Sequence, residues 1–425
     1  MKILWIVNIM LPEIGKALGV SASNREGWLT GIFNRIKNDN CEYEISIAYP
    51  VSEIGYSKCV VCDCIDCYPF VENLSSPEVY DVRMEGAIRR ILDEAKPDMI
   101  HIFGTEFPHA LAFAKLYNNP SKTLVGLQGI CGMIAKEYMA LLPKKIRRSV
   151  TLRDFLKRDS IIKQQRKFYL RAVNEIDVLQ LTNNVTGRTF FDETAARHAK
   201  ENIKYYKINE TMRDSFYSGR WDINNINKYT IFIGQGDYPI KGMHFLLEAA
   251  SELVKKYPDL KIRIAGNSII SHNTLKDKLK TPAYGKYLRK IISDNNLSDR
   301  IEVLGSISEE RMKEEYLNAA VYVCASFVEN SPNTLAEAML LGMPIVTSNA
   351  GGILDMISKK EGIIFNRGCS DELKDAIDHI FVMEDNLSDE LITMCDNCYI
   401  RARDEFDGEK NYRNLMNAYS EILDI

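Results

Sequence analysis

The sequence predicts an α/β chain built from two doubly wound, mostly parallel sheets that face a cleft. Three observations lead there. Short apolar runs rich in β-branched residues alternate with longer helical patterns, as βα units require. The series restarts after the polar stretch Ser218-Gly219-Arg220-Trp221-Asp222-Ile223-Asn224-Asn225. Several runs are apolar on consecutive positions, so helices should cover both faces of the strands. A chain of 425 residues also exceeds one ordinary core, since domains run to roughly 100 to 200 residues.

Taken in order, the first six runs are Ile3 to Ile9, Tyr43 to Ala48, Met99 to Phe103, Thr123 to Leu127, Val178 to Leu181 and Ile203 to Lys207. The second series comprises Tyr229 to Ile233, Leu260 to Ala265, Ile301 to Leu304, Val321 to Ala325, Pro344 to Thr347 and Gly362 to Phe365. This divides the chain into an N-terminal Rossmann-like domain, 1–220, a C-terminal one, 228–400, and a last helical segment, 401–425, that can pack back on the first. Ligands of such sheets gather at the carboxyl ends of the strands.

Composition limits the partners. Hydrophobic residues at 46% and charged residues at 26% fit a folded globular protein. The net charge of −4 gives no general pull toward nucleic acid, and none is expected as a partner. One local exception stands out: eleven Lys or Arg against two acids lie between Lys144 and Arg171. Apolar Ile146, Val150, Leu152, Phe155, Leu156, Ile161, Ile162, Phe168 and Leu170 are interleaved there. Residues 144–171 therefore read either as basic amphipathic helices on an anionic membrane or as a solvated helical face or self-association surface.

Met1 to Met10 carries one basic residue and reads as a strand rather than an export signal. Ten cysteines without such a signal point to reduced thiols and a cytoplasmic location, peripheral at the membrane if the basic segment binds lipid. Cys59, Cys62, Cys64 and Cys67 have spacings that zinc or an iron–sulfur cluster can use, and Cys395 and Cys398 form a further pair. The same run also reads as a buried strand with its thiols on opposite sides, which argues against one shared ion. No metal site is expected.

The chemistry centres on Glu329-Asn330-Ser331-Pro332-Asn333-Thr334-Leu335-Ala336-Glu337. Ser331 suits an N-cap and Pro332 a first helical position. The amides of Asn333, Thr334 and Leu335 would then open toward an anion such as a diphosphate. Glu329 in the loop and Glu337 about one and a half turns into the helix can reach different parts of an extended ligand.

This Glu-x7-Glu pattern, within E-N-S-P-N-T-L-A-E-A-M-L-L-G-M-P-I-V-T-S-N-A-G-G, resembles the donor motif of family 4 retaining glycosyltransferases of the GT-B fold. The resemblance extends through Gly234-Gln235-Gly236-Asp237-Tyr238-Pro239-Ile240-Lys241-Gly242, Ile264-Ala265-Gly266-Asn267 and Val303-Leu304-Gly305-Ser306-Ile307. It implies a nucleotide-sugar donor, UDP- or GDP-linked, and no separate cofactor. Glu337 would hold the ribose, Glu329 the transferred sugar, and Lys241 the diphosphate. Gly266 would admit the nucleotide, and Gly305, Ser306 and Ile307 would bracket the base. In the first domain Gly19, with Gly15, stands where the family has a glycine-rich loop. Gly351 and Gly352 read equally as a donor cradle or a turn.

Two positions depart from the pattern. Gln235 stands where many relatives have arginine, and Gln128 where relatives often have histidine. Without the arginine, phosphate neutralisation would rest on Lys241, the helix-start amides and any further base nearby. Retaining transfer is described for this family as front-face attack, with the leaving phosphate taking the acceptor proton, so the missing histidine does not forbid it. His109 is a further acceptor-side candidate. The implied reaction is metal-independent, retaining transfer of a hexosyl group to a glycan or lipid-linked acceptor in cell-envelope polysaccharide synthesis. The rival readings are a catalytically weakened nucleotide-sugar-binding protein and a nucleotide-sugar epimerase. Nucleotide, sugar, linkage and oligomeric state are not specified by these residues.

Overall fold

The apolar runs form two separate sheets in the computed structural model, which describes residues 1–20, 27–38, 43–53, 55, 58–61, 64–270 and 279–424. The first sheet contains β1 (Lys2–Ile6), β2 (Glu44–Val51), β3 (Cys59–Val61), β4 (Ile65–Val71), β5 (Met99–Phe103), β6 (Thr123–Gly126), β7 (Asn184–Gly187) and β8 (Lys204–Lys207). Their order is β3-β4-β2-β1-β5-β6-β7-β8, and only β3 pairs antiparallel. The second sheet contains β9 (Asn227–Ile233), β10 (Lys261–Ala265), β11 (Ile301–Gly305), β12 (Ala319–Cys324), β13 (Ile345–Ser348) and β14 (Ile363–Phe365). It is parallel throughout, in the order β11-β10-β9-β12-β13-β14.

Consecutive apolar residues explain the layering. All five residues of β5 and all six of β12 are buried, so neither strand has a solvent face and helices lie on both sides. All six runs expected in the second half become strands. In the first half, Val178 to Leu181 does not. Val178 and Leu179 are buried at the end of the helix Ile161–Gln180, whose inner face also carries Ala172 and Glu175. The strand follows instead at Asn184–Gly187, with Thr182 Oγ1 accepting from the Asn184 amide at 3.1 Å. The cysteine run becomes a two-stranded hairpin, β3 and β4, rather than one strand.

The compact units depart from the sequence boundaries. One comprises Met1–Ala135, Lys167–Arg213 and Phe406–Ile425; the other comprises Lys136–Arg166 and Asp214–Glu405. Residues 136–166, expected in the first domain, thus belong with the second. Asp154 accepts from the Ala283 amide at 2.9 Å, and His244 Nε2 bonds the Ala140 carbonyl at 3.0 Å. The chain's last helix, Gly408–Leu423, groups with the first unit. There Trp5 Nε1 donates to Tyr419 Oη at 2.9 Å, and that hydroxyl also bonds His101 Nδ1 at 2.7 Å.

Among the described residues, one buried carboxyl group has neither oxygen paired. Glu384 is 2% exposed, and both carboxylate oxygens are buried without a partner. Burial, reinforced by Asp385, pushes its pKa up to about 9. The folded chain therefore keeps a proton that the unfolded chain releases above about pH 4.3. Stability from this group is full below that pH and falls as pH rises toward about 9. Glu384→Gln is expected to stabilise the protein at pH 8 by about 2 kcal/mol and to do little at pH 4. Thermal melts at both pH values test this; the same gain at each would mean that ionisation is not the cause.

Candidate functional site

In the second sheet the chain runs from β9 through β10 to β11 on one side, then returns to place β12 on the other side of β9. The reversal opens a crevice at the carboxyl ends of β9 and β12, the place where open α/β sheets bind ligands. A pocket lies there, lined by Gly234, Gln235, Lys241, Ser326, Glu329 and Thr334. Gly234 is needed for the close approach: a Cβ at this position would lie 2.5 Å from Thr334 Cγ2.

Two loops brace each other at this pocket. The turn Pro239–Lys241 ends at Gly242, which has φ +71°, and the Phe327 amide donates to the Ile240 carbonyl at 2.6 Å. Lys241 Nζ consequently sits 2.6 Å from Glu329 Oε1, and Ser326 Oγ donates to the same oxygen at 2.7 Å. Burial opposes the lysine's charge, yet the Glu329 carboxylate leaves the Lys241 pKa above its ordinary value. The cation is therefore held in place at neutral pH. Behind it, the Gly352 amide donates to the Glu329 carbonyl at 3.0 Å, so this glycine shapes the loop from within the protein.

The helix Asn333–Leu340 begins one residue later than expected. Pro332 occupies the cap and no side chain caps the helix. The Leu335 amide donates to the Pro332 carbonyl at 3.0 Å, which corrects its expected place among anion donors and leaves that part to Asn333 and Thr334. Thr334 is itself fixed by a 2.7 Å bond between its Oγ1 and Tyr322 Oη. Glu337 is only 5% exposed, and Tyr316 Oη lies 3.1 Å from its Oε2. The buried carboxylate thus anchors the helix to its neighbours. Gly266 and Gly305 come together at the neighbouring strand ends, where the Gly266 amide donates to the Gly305 carbonyl at 2.8 Å. Ser306 is exposed and Ile307 half-buried in the loop that follows. Gln235, the uncharged replacement, hydrogen-bonds Asp237.

The first unit places its candidates differently. His109 is fully buried. Its Nδ1 lies 2.9 Å from Glu72 Oε2 and its Nε2 3.1 Å from Asn8 Oδ1. Both ring nitrogens are occupied inside the fold, so His109 does not line an acceptor surface. Gly15 lies inside the helix Pro12–Leu18. Gly19 ends that helix with φ +68°, and its amide is spent on the Gly15 and Lys16 carbonyls. It serves as a helix cap, not as a phosphate loop. Gln128 is held by Arg188, whose Nη1 lies 3.2 Å from Gln128 Oε1 while Nη2 donates to the Leu127 carbonyl at 3.0 Å.

Arg188 and its buried ion-pair partner Glu210 were not foreseen. Placing the strand at 178–181 hid Arg188, which directly follows β7. Glu175 was missed as well. It accepts from Thr105 Oγ1 at 2.7 Å, and burial pushes its pKa up to about 7 despite that bond. Among the cysteines, Cys59 and Cys67 are cross-strand partners, Cys395 and Cys398 are buried in one helix, and Cys62 lies outside the described residues.

A strand-end pocket with a fixed lysine, on one of two doubly wound sheets, defines the GT-B class of architecture. The chain belongs to the glycosyl transferases group 1 family, whose profile matches residues 183–420, more than half of it. Among similar curated proteins, spore coat protein SA of Bacillus subtilis is 28% identical over 141 residues, 33% of this chain and 35% of that protein. The teichuronic acid biosynthesis glycosyltransferase TuaC of B. subtilis, a putative assignment in its own name, is 23% identical over 28% of this chain and 30% of its own length. The matches to these two proteins thus span about a third of their length. Sucrose-phosphate synthase from Thermosynechococcus elongatus shares the fold with a TM-score of 0.70 at 14% identity, over 99% of this chain and 98% of that one. Anabaena HepE, solved with UDP and glucose, does so at 0.67 and 16%, over 99% of both chains.

Proposed function

We propose that the chain transfers a hexosyl group from a UDP- or GDP-linked sugar to a glycan or lipid-linked acceptor, with retention at the anomeric carbon and without a metal ion. The observation that carries this reading is the Lys241–Glu329 pair at the switch point of the second sheet, 2.6 Å apart. A fixed cation beside the start of a helix suits a diphosphate and stabilises the negative charge that grows on it as the glycosidic bond breaks. Glu329 would keep Lys241 oriented and present its remaining lone pairs to a sugar hydroxyl. The leaving phosphate would take the acceptor proton, which asks nothing of Gln128. A thermal-shift screen against UDP-, GDP-, ADP- and CMP-sugars tests this: a UDP- or GDP-sugar should stabilise the protein, and no response to any donor would overturn the reading.

The uncharged Gln235 supports a second reading, a nucleotide-sugar-binding protein with weakened catalysis. Donor hydrolysis separates the two. Hydrolysis that disappears in Glu329→Ala favours the enzyme, whereas binding with no turnover favours the relic.

A place in cell-envelope synthesis, with the chain peripheral at an anionic bilayer, is part of the same proposal. Support comes from Leu152, Phe155 and Leu156, which are 60%, 71% and 70% exposed beside Arg148, Lys157 and Arg158. Among the described residues no helix is long and apolar enough to cross a membrane, but exposed apolar side chains among basic ones suit a bilayer surface. Co-sedimentation with phosphatidylglycerol vesicles should be salt-sensitive, and Phe155→Ser with Leu156→Ser should weaken it by at least about tenfold, from the apolar area lost. Absence of salt-sensitive binding would remove the membrane reading.

A further inference from the structure

We infer that Cys59 and Cys67 are a modification site: an oxidisable dithiol that a peroxide closes to a disulfide, fastening the β3–β4 hairpin at the edge of the first sheet. Nothing in this depends on the proposed transferase reading. The two residues stand directly opposite each other in the antiparallel pairing, so their side chains share one face of the hairpin. Such opposed residues have Cα atoms roughly 4.5 to 5.5 Å apart, within the roughly 4.4 to 6.8 Å that a disulfide spans. Both thiols are free, and the Cys67 thiol lies in hydrogen-bond contact with Cys59. Strand register thus brings together two of the clustered cysteines, while Cys64, exposed just before β4, has no place in that ladder.

Their exposures divide the work. Cys59 is half-buried on β3, the edge strand, and can meet a small oxidant. Cys67 is fully buried and needs no solvent access, because it reacts only with its neighbour. The Cys59 thiolate attacks hydrogen peroxide: an S–O bond forms, the O–O bond breaks, and the hydroxide released takes up the thiol's proton as water. The Cys67 sulfur then displaces the oxygen from the Cys59 sulfenic acid, its own proton leaving with that oxygen as a second water. The two thiols together lose two electrons and the peroxide gains them. Burial sets the rate and the lifetime. It pushes the Cys59 pKa up, although the neighbouring Tyr49 hydroxyl and Cys67 thiol favour the thiolate, and nearby Lys58 is committed to Asp66 and Glu94. The first step is therefore slow and calls for sustained oxidant. A disulfide is uncharged, so burial penalises the thiolate and not the product, and a buried sulfur resists attack by an external thiol. The edge has something to gain: β3 is only three residues long and Val60 on it is 51% exposed, the makings of a strand that opens locally.

Peptide mapping by mass spectrometry tests this on the full chain, treated with hydrogen peroxide and then alkylated under denaturing conditions. A Cys59–Cys67 cross-link should form in the wild type and equally in Cys64→Ser. In Cys67→Ser the Cys59 sulfenic acid has no resolving thiol, so its capture by dimedone should rise at least about tenfold over wild type, given the effective concentration of an adjacent thiol. Hydrogen exchange of the amides from 59 to 67 should slow at least about tenfold once the link is made, because the open hairpin loses chain entropy. Wild-type mapping decides the matter even if Cys67→Ser, at a buried position, fails to fold. No Cys59–Cys67 link in the wild type, or equal dimedone capture with and without Cys67, would overturn the pair. Unchanged exchange in the linked protein would overturn its part in fastening the edge.

Discussion

Lys241→Ala is expected to lower sugar transfer by about a hundredfold to a thousandfold, the scale seen when one preorganised group facing developing charge is removed. The effect should fall mainly on kcat, because charge on the leaving phosphate grows toward the transition state. A merely structural lysine predicts something else. In that case its task is to neutralise Glu329, 2.6 Å away with a side chain only 12% exposed, and the single variant fails because it strands a carboxylate. The double variant Lys241→Ala with Glu329→Gln separates these roles. It removes the stranded charge while keeping an amide that Ser326 can still bond. Because Glu329 in the proposed site also faces the transferred sugar, the readout is affinity for UDP, which lacks that sugar. A direct role on phosphate leaves the double variant binding UDP as weakly as the single one, whereas recovery to near wild-type UDP affinity would show that Lys241 only balances Glu329.

Gly242→Ala should destabilise the protein by about 3 kcal/mol or more, combining left-handed backbone strain with an overpacked contact. The added Cβ would lie 1.8 Å from the Ala325 carbonyl oxygen, a backbone atom that cannot swing aside, at a residue whose φ is +71°. Relief requires the turn 239–242 to part from the loop 325–329, which would break the Phe327–Ile240 bond and displace Lys241 from Glu329. A fall in Tm of roughly 6 to 12 °C follows for a unit of this size, together with loss of donor binding. Gly305→Ala is the control. Its φ is +74°, but an added Cβ there meets nothing within 4 Å, so only the strain of about 1 kcal/mol remains. Equal melting temperatures for Gly242→Ala and wild type would show that the two loops are not locked together.

Much of this was legible in the chain itself. Runs such as Val321 to Ala325 are apolar at every position, so a strand covered on both faces follows from those few residues. Val178 to Leu181 misled for the same reason. Four apolar residues are equally consistent with the end of a buried helix, and only the longer spacing through Ala172 and Glu175 distinguishes the two. Arg188 was overlooked as a result, because a residue is recognised as lying at a strand end only once the strand is placed. His109 and Gly19 were read by residue type, and type does not tell whether a histidine's nitrogens or a glycine's amide are already spent within the fold.

By itself, then, the sequence determined two parallel α/β sheets, the family resemblance, and the grouping of Glu329 to Glu337 around a helix start. Each depends on neighbours within a few residues, where periodicity and capping are decided locally. Tertiary structure alone decided that Lys241 meets Glu329 across 88 positions of sequence, that Glu337 is buried against Tyr316, and that residues 136–166 join the second unit. Those outcomes depend on which strand ends the topology brings together, and the pairing of side chains so distant along the chain is written in packing rather than in any local pattern.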